Sequence, residues 1–156
     1  MIKREIGAAD IEVFSNAICE YFEAASGELA QVRSAYLLEG EYPELWSGYH
    51  GVIPVHGSFV GSVCFSAPKP LLTHVLMLMG DKSFSEASHL DLVGEIANTL
   101  SGQARKHFGE TLCINPPLAF NGKHKPVRSK GTGKPYAIPF TWRNYEAGLV
   151  VDLIIA

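Results

Sequence analysis

The stretch that most constrains the fold runs from residue 89 to residue 108, HLDLVGEIANTLSGQARKHF. Its apolar residues recur with the 3.6-residue period of an α-helix, at about 100° per residue. One arc of that helix is apolar and consists of Leu92, Val93, Ile96, Ala97, Leu100, Ala104 and Phe108. The opposite arc consists of Asp91, Glu95, Asn98, Gly102, Arg105 and Lys106. This pattern predicts a helix with one face in a core and the other in water.

The polar arc of this helix carries residues that an ordinary solvated face avoids. Asn is a mediocre helix former, and an interior Gly costs about 1 kcal/mol relative to Ala. Asn98 follows Glu95 by one turn, and Gly102 follows Asn98 by another. We interpret this face as a contact surface on which Gly102 lets a partner's backbone approach. The alternative, that two weak helix formers are merely tolerated, stays open at this point. Ser88 and Asp91 have the spacing of a capping box, which predicts that the helix begins at Ser88.

Length and composition predict one domain, residues 1–156, with a substantial core. The net charge of −3 gives no electrostatic reason for general nucleic-acid binding. No stretch has the length of a membrane span, and the first residues lack the apolar run of a signal peptide. The three cysteines are far apart and are predicted to be the reduced, buried side chains of a cytoplasmic protein. They are Cys19, Cys64 and Cys113.

The remaining periodicities predict an α+β (mixed α/β) fold, in which a mostly antiparallel sheet of about five or six strands packs against three helices. The other two helices are predicted at residues 10–25 and 71–79, and the strands at 29–38, 50–56, 60–66, 111–114, 136–142 and 148–155. Gly57 and Ser58 predict a hairpin turn, and Pro54 predicts an edge strand or a bulge. Trp46 is interpreted as the anchor of a loop, and the Lys-rich segment 121–134 as a solvated loop.

Several possible sites find little support. Residues 130–134, KGTGK, lack the upstream Gly of a P-loop, and Pro135 stands where Ser or Thr is required. The six histidines form no HExxH motif and no Cys/His pattern with metal-ligand spacing, so we predict no metal site. A small-molecule enzyme built on His50 and His56 would require a deep pocket lined by both.

The central helix resembles the signature of the CheC/CheX family of chemotaxis phosphatases. The resemblance rests on Asp91-x-x-x-Glu95-x-x-Asn98-x-x-x-Gly102 and on the downstream segment 113–122, CINPPLAFNG. The hairpin at 51–66, the apolar helix that ends at Met79-Gly80 and the final two strands fit as well. Coverage runs from about Tyr49 to the C-terminus. CheC-type members carry two such helices, and this chain shows one, so it is most similar to CheX.

The resemblance implies a phosphatase that hydrolyses the aspartyl phosphate of a CheY-like response-regulator receiver domain. It implies that Asn98 positions the attacking water and that Glu95 pairs with the receiver's lysine. Asp91 and Gly102 would face the partner, although the capping-box spacing of Asp91 favours a structural role. The chain needs no cofactor of its own, because the phosphorylated receiver supplies Mg²⁺.

One alternative function and one expectation about assembly accompany this hypothesis. The same helix face would also serve a non-catalytic module that binds a receiver without hydrolysis. The family resemblance further implies a homodimer that pairs through a sheet edge. The long apolar strand predicted at 148–155 is one candidate for that edge, although its composition fits an interior strand equally well.

Overall fold

The structure, a computed structural model, describes residues 6–38, 48–122 and 135–156. Three helices and eight strands are formed by these residues. In chain order they are α1 (Ala8–Ser26), β1 (Gln31–Val32), β2 (Tyr36–Leu37), β3 (Tyr49–Gly57), β4 (Phe59–Ala67), α2 (Lys69–Leu78), α3 (Glu86–Phe108), β5 (Leu112–Ile114), β6 (Leu118–Phe120), β7 (Tyr136–Trp142) and β8 (Tyr145–Ile155). The predicted loop around Trp46 and the Lys-rich segment from residue 123 onward, including the KGTGK run, lie outside the described residues.

The described strands form one antiparallel sheet in the order β1-β7-β8-β4-β3-β5, with β2 also pairing with β7 and β6 with β3. The predicted class, an antiparallel sheet against three helices, is confirmed. The strand count exceeds the expectation because each outer position of the sheet is shared by two short strands. On one side the predicted strand 29–38 was wrong as a single element, since it is divided into β1 and β2.

The core lies between the helices and one face of the sheet. Alternate residues of each strand point to the same face, so Ile53, Val63, Phe65, Ile138 and Leu149 join the helices in one buried cluster. Their neighbours in sequence point the other way. A smaller buried cluster on that second face consists of Leu38, Val52, Cys64, Ala137 and Val150.

The backbone of α3 closely approaches the sheet at Gly51 on β3. A Cβ at this position would lie 2.3 Å from the Val93 carbonyl oxygen and 3.1 Å from the Ala97 Cβ. Both neighbours belong to α3, and the first of them is backbone. A residue without a side chain therefore lets the backbone of α3 lie directly on the N-terminal half of β3.

The prediction that Pro54 marks an edge strand or a bulge was wrong. β3 is an interior strand, and Pro54 keeps a regular partner, Ser62, on β4. The outer neighbour of β3 changes from β5 to β6 at this point, and the Pro54 carbonyl accepts a hydrogen bond from the Asn115 N–H at 2.9 Å. In an antiparallel strand the N and C=O of one residue face the same side. The missing N–H of Pro54 therefore faces the gap between β5 and β6, where no ladder bond is lost.

Of the two positions left open for the segment 148–155, the structure shows the interior one, because β8 lies between β4 and β7. The prediction for the cysteines needs correction. Only Cys64 of the three cysteines is buried, while Cys19 and Cys113 are partly exposed, and all three are free thiols. The hairpin at Gly57, with a φ of 98°, and α2 lie where they were predicted.

His50 carries a pH dependence of stability that can be measured. Its ring is buried and its Nδ1 lies 2.5 Å from the Ser66 hydroxyl oxygen; burial lowers the pKa of His50 below its usual value of 6.5. The unfolded chain therefore binds this proton more readily, and stability is lost as the pH falls below about 6.5. The contribution of one proton does not exceed about 1.4 kcal/mol per pH unit. The free energy of unfolding in urea should be measured at pH 7.5 and at pH 5.5. It should change less between these pH values in His50→Gln than in His56→Gln, a control variant because the His56 side chain is exposed. Equal differences would contradict this assignment.

Candidate functional site

α3 begins earlier than its sequence predicts. Ser85 is the N-cap, with extended backbone, and its hydroxyl accepts a hydrogen bond from the Ser88 N–H at 3.1 Å. The predicted start at Ser88 was therefore wrong by one turn, and the Ser88–Asp91 capping box does not exist. Because Asp91 lies in the second turn, its exposed carboxylate is not used in capping.

The N-terminal end of α3 is held to the sheet through Glu86. Its carboxylate accepts hydrogen bonds from the Tyr49 hydroxyl at 2.5 Å and from the Asn121 amide at 3.1 Å. These two bonds lower the pKa of Glu86. Burial and the same hydrogen bond raise the pKa of Tyr49 to about 12. The ends of β3 and β6 are thereby tied to the first turn of α3.

The C-terminal end of α3 is held on both sides. The Arg105 Nε donates a hydrogen bond to the Leu112 carbonyl at 2.8 Å, which joins the helix to β5. The His107 ring Nε2 lies 2.8 Å from an Asp10 carboxylate oxygen, which joins it to the first turn of α1. With contacts at both ends and Gly51 beneath its middle, α3 is a fixed support for the side chains that project from it.

The residues predicted for the site share one exposed face of this support. Asp91, Glu95 and Asn98 are exposed, and an added Cβ at Gly102 would have no atom within 4 Å. At about 100° and 1.5 Å per residue, the four positions span an arc of about 60° and a length of about 16 Å. The structure thus brings the four predicted residues together. We call Asp91, Glu95, Asn98 and Gly102 the exposed face of α3.

The two functional groups at the centre of this face are not engaged by the described residues. The Glu95 carboxylate and the Asn98 amide make no hydrogen bond or ion pair with the residues that the structure describes. The negative charge of Glu95 affects the pKa of Tyr21 on α1. Burial, with a smaller contribution from the negative charge of Glu95, raises the pKa of Tyr21 to about 12. A carboxylate and a neutral amide therefore stand side by side, free to contact another molecule.

Sequence reasoning missed the contact between Pro117 and α3 at Gly94. Gly94 precedes Asn98 by one turn, and an added Cβ there would lie 3.3 Å from the Pro117 Cβ and 4.0 Å from the Ala119 Cβ. The exposed ring of Pro117 therefore lies against the helix at the turn before Asn98. A second interior Gly in α3 was the available signal for this contact, since a Gly that costs helix stability often marks a close approach.

Other candidate sites are not assembled. His50 and His56 are six residues apart on β3, which is about 20 Å along an extended strand, and one is buried while the other is exposed. Among the described residues no group of three or more His, Cys, Asp or Glu side chains is arranged to hold a metal ion. Within the described ranges, no helix combines the length and the apolar character needed to traverse a bilayer.

Comparison with known proteins gives consistent results. Residues 49–141 match the family model described as "Chemotaxis phosphatase CheX". No curated protein matches the chain. Among solved structures, the chemotaxis protein CheX from Vibrio vulnificus is similar with a TM-score of 0.79 at 19% identity, covering 94% of this chain and 99% of that one. CheX from Desulfovibrio desulfuricans gives 0.79 at 21%, covering 93% and 99%.

A third similar structure is a complex. The CheX–CheY–BeF₃–Mg²⁺ complex from Borrelia burgdorferi matches with a TM-score of 0.74 at 17% identity, covering 92% of this chain and 97% of that one. At these identities the structural likeness shows a shared fold. The family model covers 93 of the 156 residues, counted from its bounds, and includes the whole exposed face of α3.

Proposed function

Because this chain belongs to the CheX family of chemotaxis phosphatases, we propose that it hydrolyses the aspartyl phosphate of a CheY-like receiver domain. The observation that carries the proposal is the unengaged pair of Glu95 and Asn98 on a fixed helix. The partner named in the Borrelia burgdorferi complex is of the same kind. The receiver supplies Mg²⁺ and a lysine, so this chain needs no cofactor of its own.

Asn98 is proposed to be the catalytic residue. An aspartyl phosphate is already reactive, and what it lacks is a water held in line with the bond to be broken. The Asn98 side-chain oxygen would accept a hydrogen bond from that water. The water oxygen bonds to phosphorus, and the receiver's aspartate leaves with the electrons of the broken P–O bond. Being neutral, the amide avoids a repulsion that would cost a carboxylate about 1–4 kcal/mol at 4 Å from one phosphoryl charge.

Glu95 is proposed to pair with the receiver's lysine. It lies one turn before Asn98, about 60° away around the helix axis, so a partner that meets one side chain also meets the other. A charge-assisted hydrogen bond of this type fixes orientation as well as adding affinity. Asp91 and Gly102 would contact the partner at the two ends of the face. Gly102 would provide clearance, which is supported by the empty space around its missing side chain.

The experiment follows the aspartyl phosphate of candidate receivers over time, with and without this protein. A shortened phosphoryl lifetime is expected. The non-catalytic alternative, a module that only binds, would give tight binding to the phosphorylated receiver with an unchanged lifetime. Failure to bind any phosphorylated receiver from the host would contradict both functions.

The homodimer and the cytoplasmic location are parts of the same proposal. Since β8 is interior, the sheet edges left for pairing are the β1–β2 side and the β5–β6 side. Sedimentation at micromolar concentration should give about twice the chain mass of 17.0 kDa. A mass near that of one chain would contradict the dimer. The location follows from the receiver substrate and is tested by fractionation.

A further inference from the structure

Charges are sorted along α3. The two acids of the exposed face, Asp91 and Glu95, lie toward the N-terminal end, and two exposed cations, Arg105 and Lys106, lie in the last turn. The neutral residues Asn98 and Gly102 stand between them. Lys106 follows Glu95 by 11 residues, which places it within about 20° of the same line along the helix and about 16 Å farther on.

The cationic end is also concave. Gly102, Gly109, Arg105 and Lys106, together with the exposed acid Glu110, line an open depression of about 560 Å³. An added Cβ at either glycine would meet no atom within 4 Å. The depression begins at Gly102, so it continues the exposed face of α3 and is open to the same approaching partner.

Among the described residues, no acid forms an ion pair with either cation. Within the part of the chain that the structure describes, the Arg105 Nε donates to the Leu112 carbonyl at 2.8 Å, and Lys106 donates to the neutral Gln103 side chain at 3.3 Å. The Leu112 contact also holds the Arg105 stem in place, which reduces the side-chain entropy that a new contact would cost.

Cations in the last turn of a helix also stabilise it through the helix dipole. That effect accounts for their position near the C-terminus. It does not account for the depression beside them, or for two cations that make no ion pair with any described acid. These features fit a surface that meets negative charge from outside.

We propose that the depression lined by Arg105 and Lys106 receives an acidic rim beside the phosphorylated cleft of the receiver, and so fixes the direction in which the receiver docks. This inference rests on the proposed function. With the receiver's lysine over Glu95 and its acidic rim over the depression, the phosphoryl group comes to Asn98. In the reversed orientation the receiver's lysine would face Lys106 and the receiver's acidic rim would face Glu95. Repulsion between these like charges disfavours that orientation.

The test measures association with a receiver held in its phosphorylated form by beryllium fluoride and Mg²⁺. Lys106→Glu should slow association at low salt by about 5-fold, since a rim charge acts mainly on the encounter rate. The matched control is Arg33→Glu, which makes the same charge change at an exposed position outside α3. The difference in association rate between Lys106→Glu and Arg33→Glu should become smaller at about 0.5 M salt, because salt screens the charges. Lys106→Gln removes the charge without reversing it and should slow association by an intermediate amount. A folding defect in Lys106→Glu alone would not produce this graded effect.

The outcomes separate the two proposals. Normal binding and dephosphorylation by the wild type, with Lys106→Glu and Arg33→Glu indistinguishable at low salt, would overturn the docking inference and leave the phosphatase intact. A wild-type protein that binds no phosphorylated receiver would overturn both.

Discussion

Replacing Asn98 by Ala is expected to reduce the acceleration of receiver dephosphorylation by about 100-fold, because a misplaced water loses most of the gain from orientation. The side chain is exposed and makes no hydrogen bond within the described residues. The fold should therefore be unaffected. The measurement is the rate of phosphate release at saturating phosphorylated receiver, with the circular dichroism spectrum as a check on folding.

The matched control for this variant is Asn16→Ala. Asn16 is also an exposed helical Asn, but it lies on α1, four residues after Glu12 rather than three after an acid. The same atoms are removed, and the rate should not change. An Asn98→Ala protein that releases phosphate as fast as the wild type would remove Asn98 from the mechanism. If Asn98→Ala lowered the affinity for the receiver together with the rate, the residue would act in docking rather than in placing water.

Replacing Gly51 by Ala is expected to lower the free energy of unfolding by at least about 2 kcal/mol. The new Cβ would lie 2.3 Å from the Val93 carbonyl oxygen, and neither backbone moves without displacing α3 from the sheet. Activity of the folded fraction should fall too, since α3 carries both functional side chains. The urea midpoint measures the first effect.

The control for Gly51→Ala is Gly102→Ala. Gly51 lies on β3 beneath α3, and Gly102 lies on α3 itself. A Cβ at Gly102 would meet nothing within 4 Å. Removing an interior helical Gly should raise stability by up to about 1 kcal/mol. A Gly51→Ala protein that unfolds at the wild-type urea concentration would show that α3 is not seated on β3 as described.

Much of the candidate site could be predicted from the sequence. Helical periodicity placed Glu95 and Asn98 on the solvent-facing side of one helix, and both are exposed in the structure. This works because side-chain direction in a helix follows from residue number alone. The composition of the strands was similarly sufficient for the antiparallel class of the sheet.

The failures have a common cause. Ser88 and Asp91 have a valid capping-box spacing, yet Ser85 caps the helix, because several serines compete and the chain path decides which hydroxyl reaches an orphan N–H. Pro54 suggested an edge, yet it lies in an interior strand opposite a gap in its neighbour. Local signals do not record what lies across the sheet.

The sequence by itself determined the helices, the antiparallel class and the line of polar residues along α3, since each depends on periodicity within a single segment. Only the tertiary structure decided that β8 is interior, that Pro117 lies against α3 at Gly94 and that Tyr49 and Asn121 hold the start of α3. These contacts join residues far apart in the chain. Their geometry is set by packing and strand order, which no local pattern encodes.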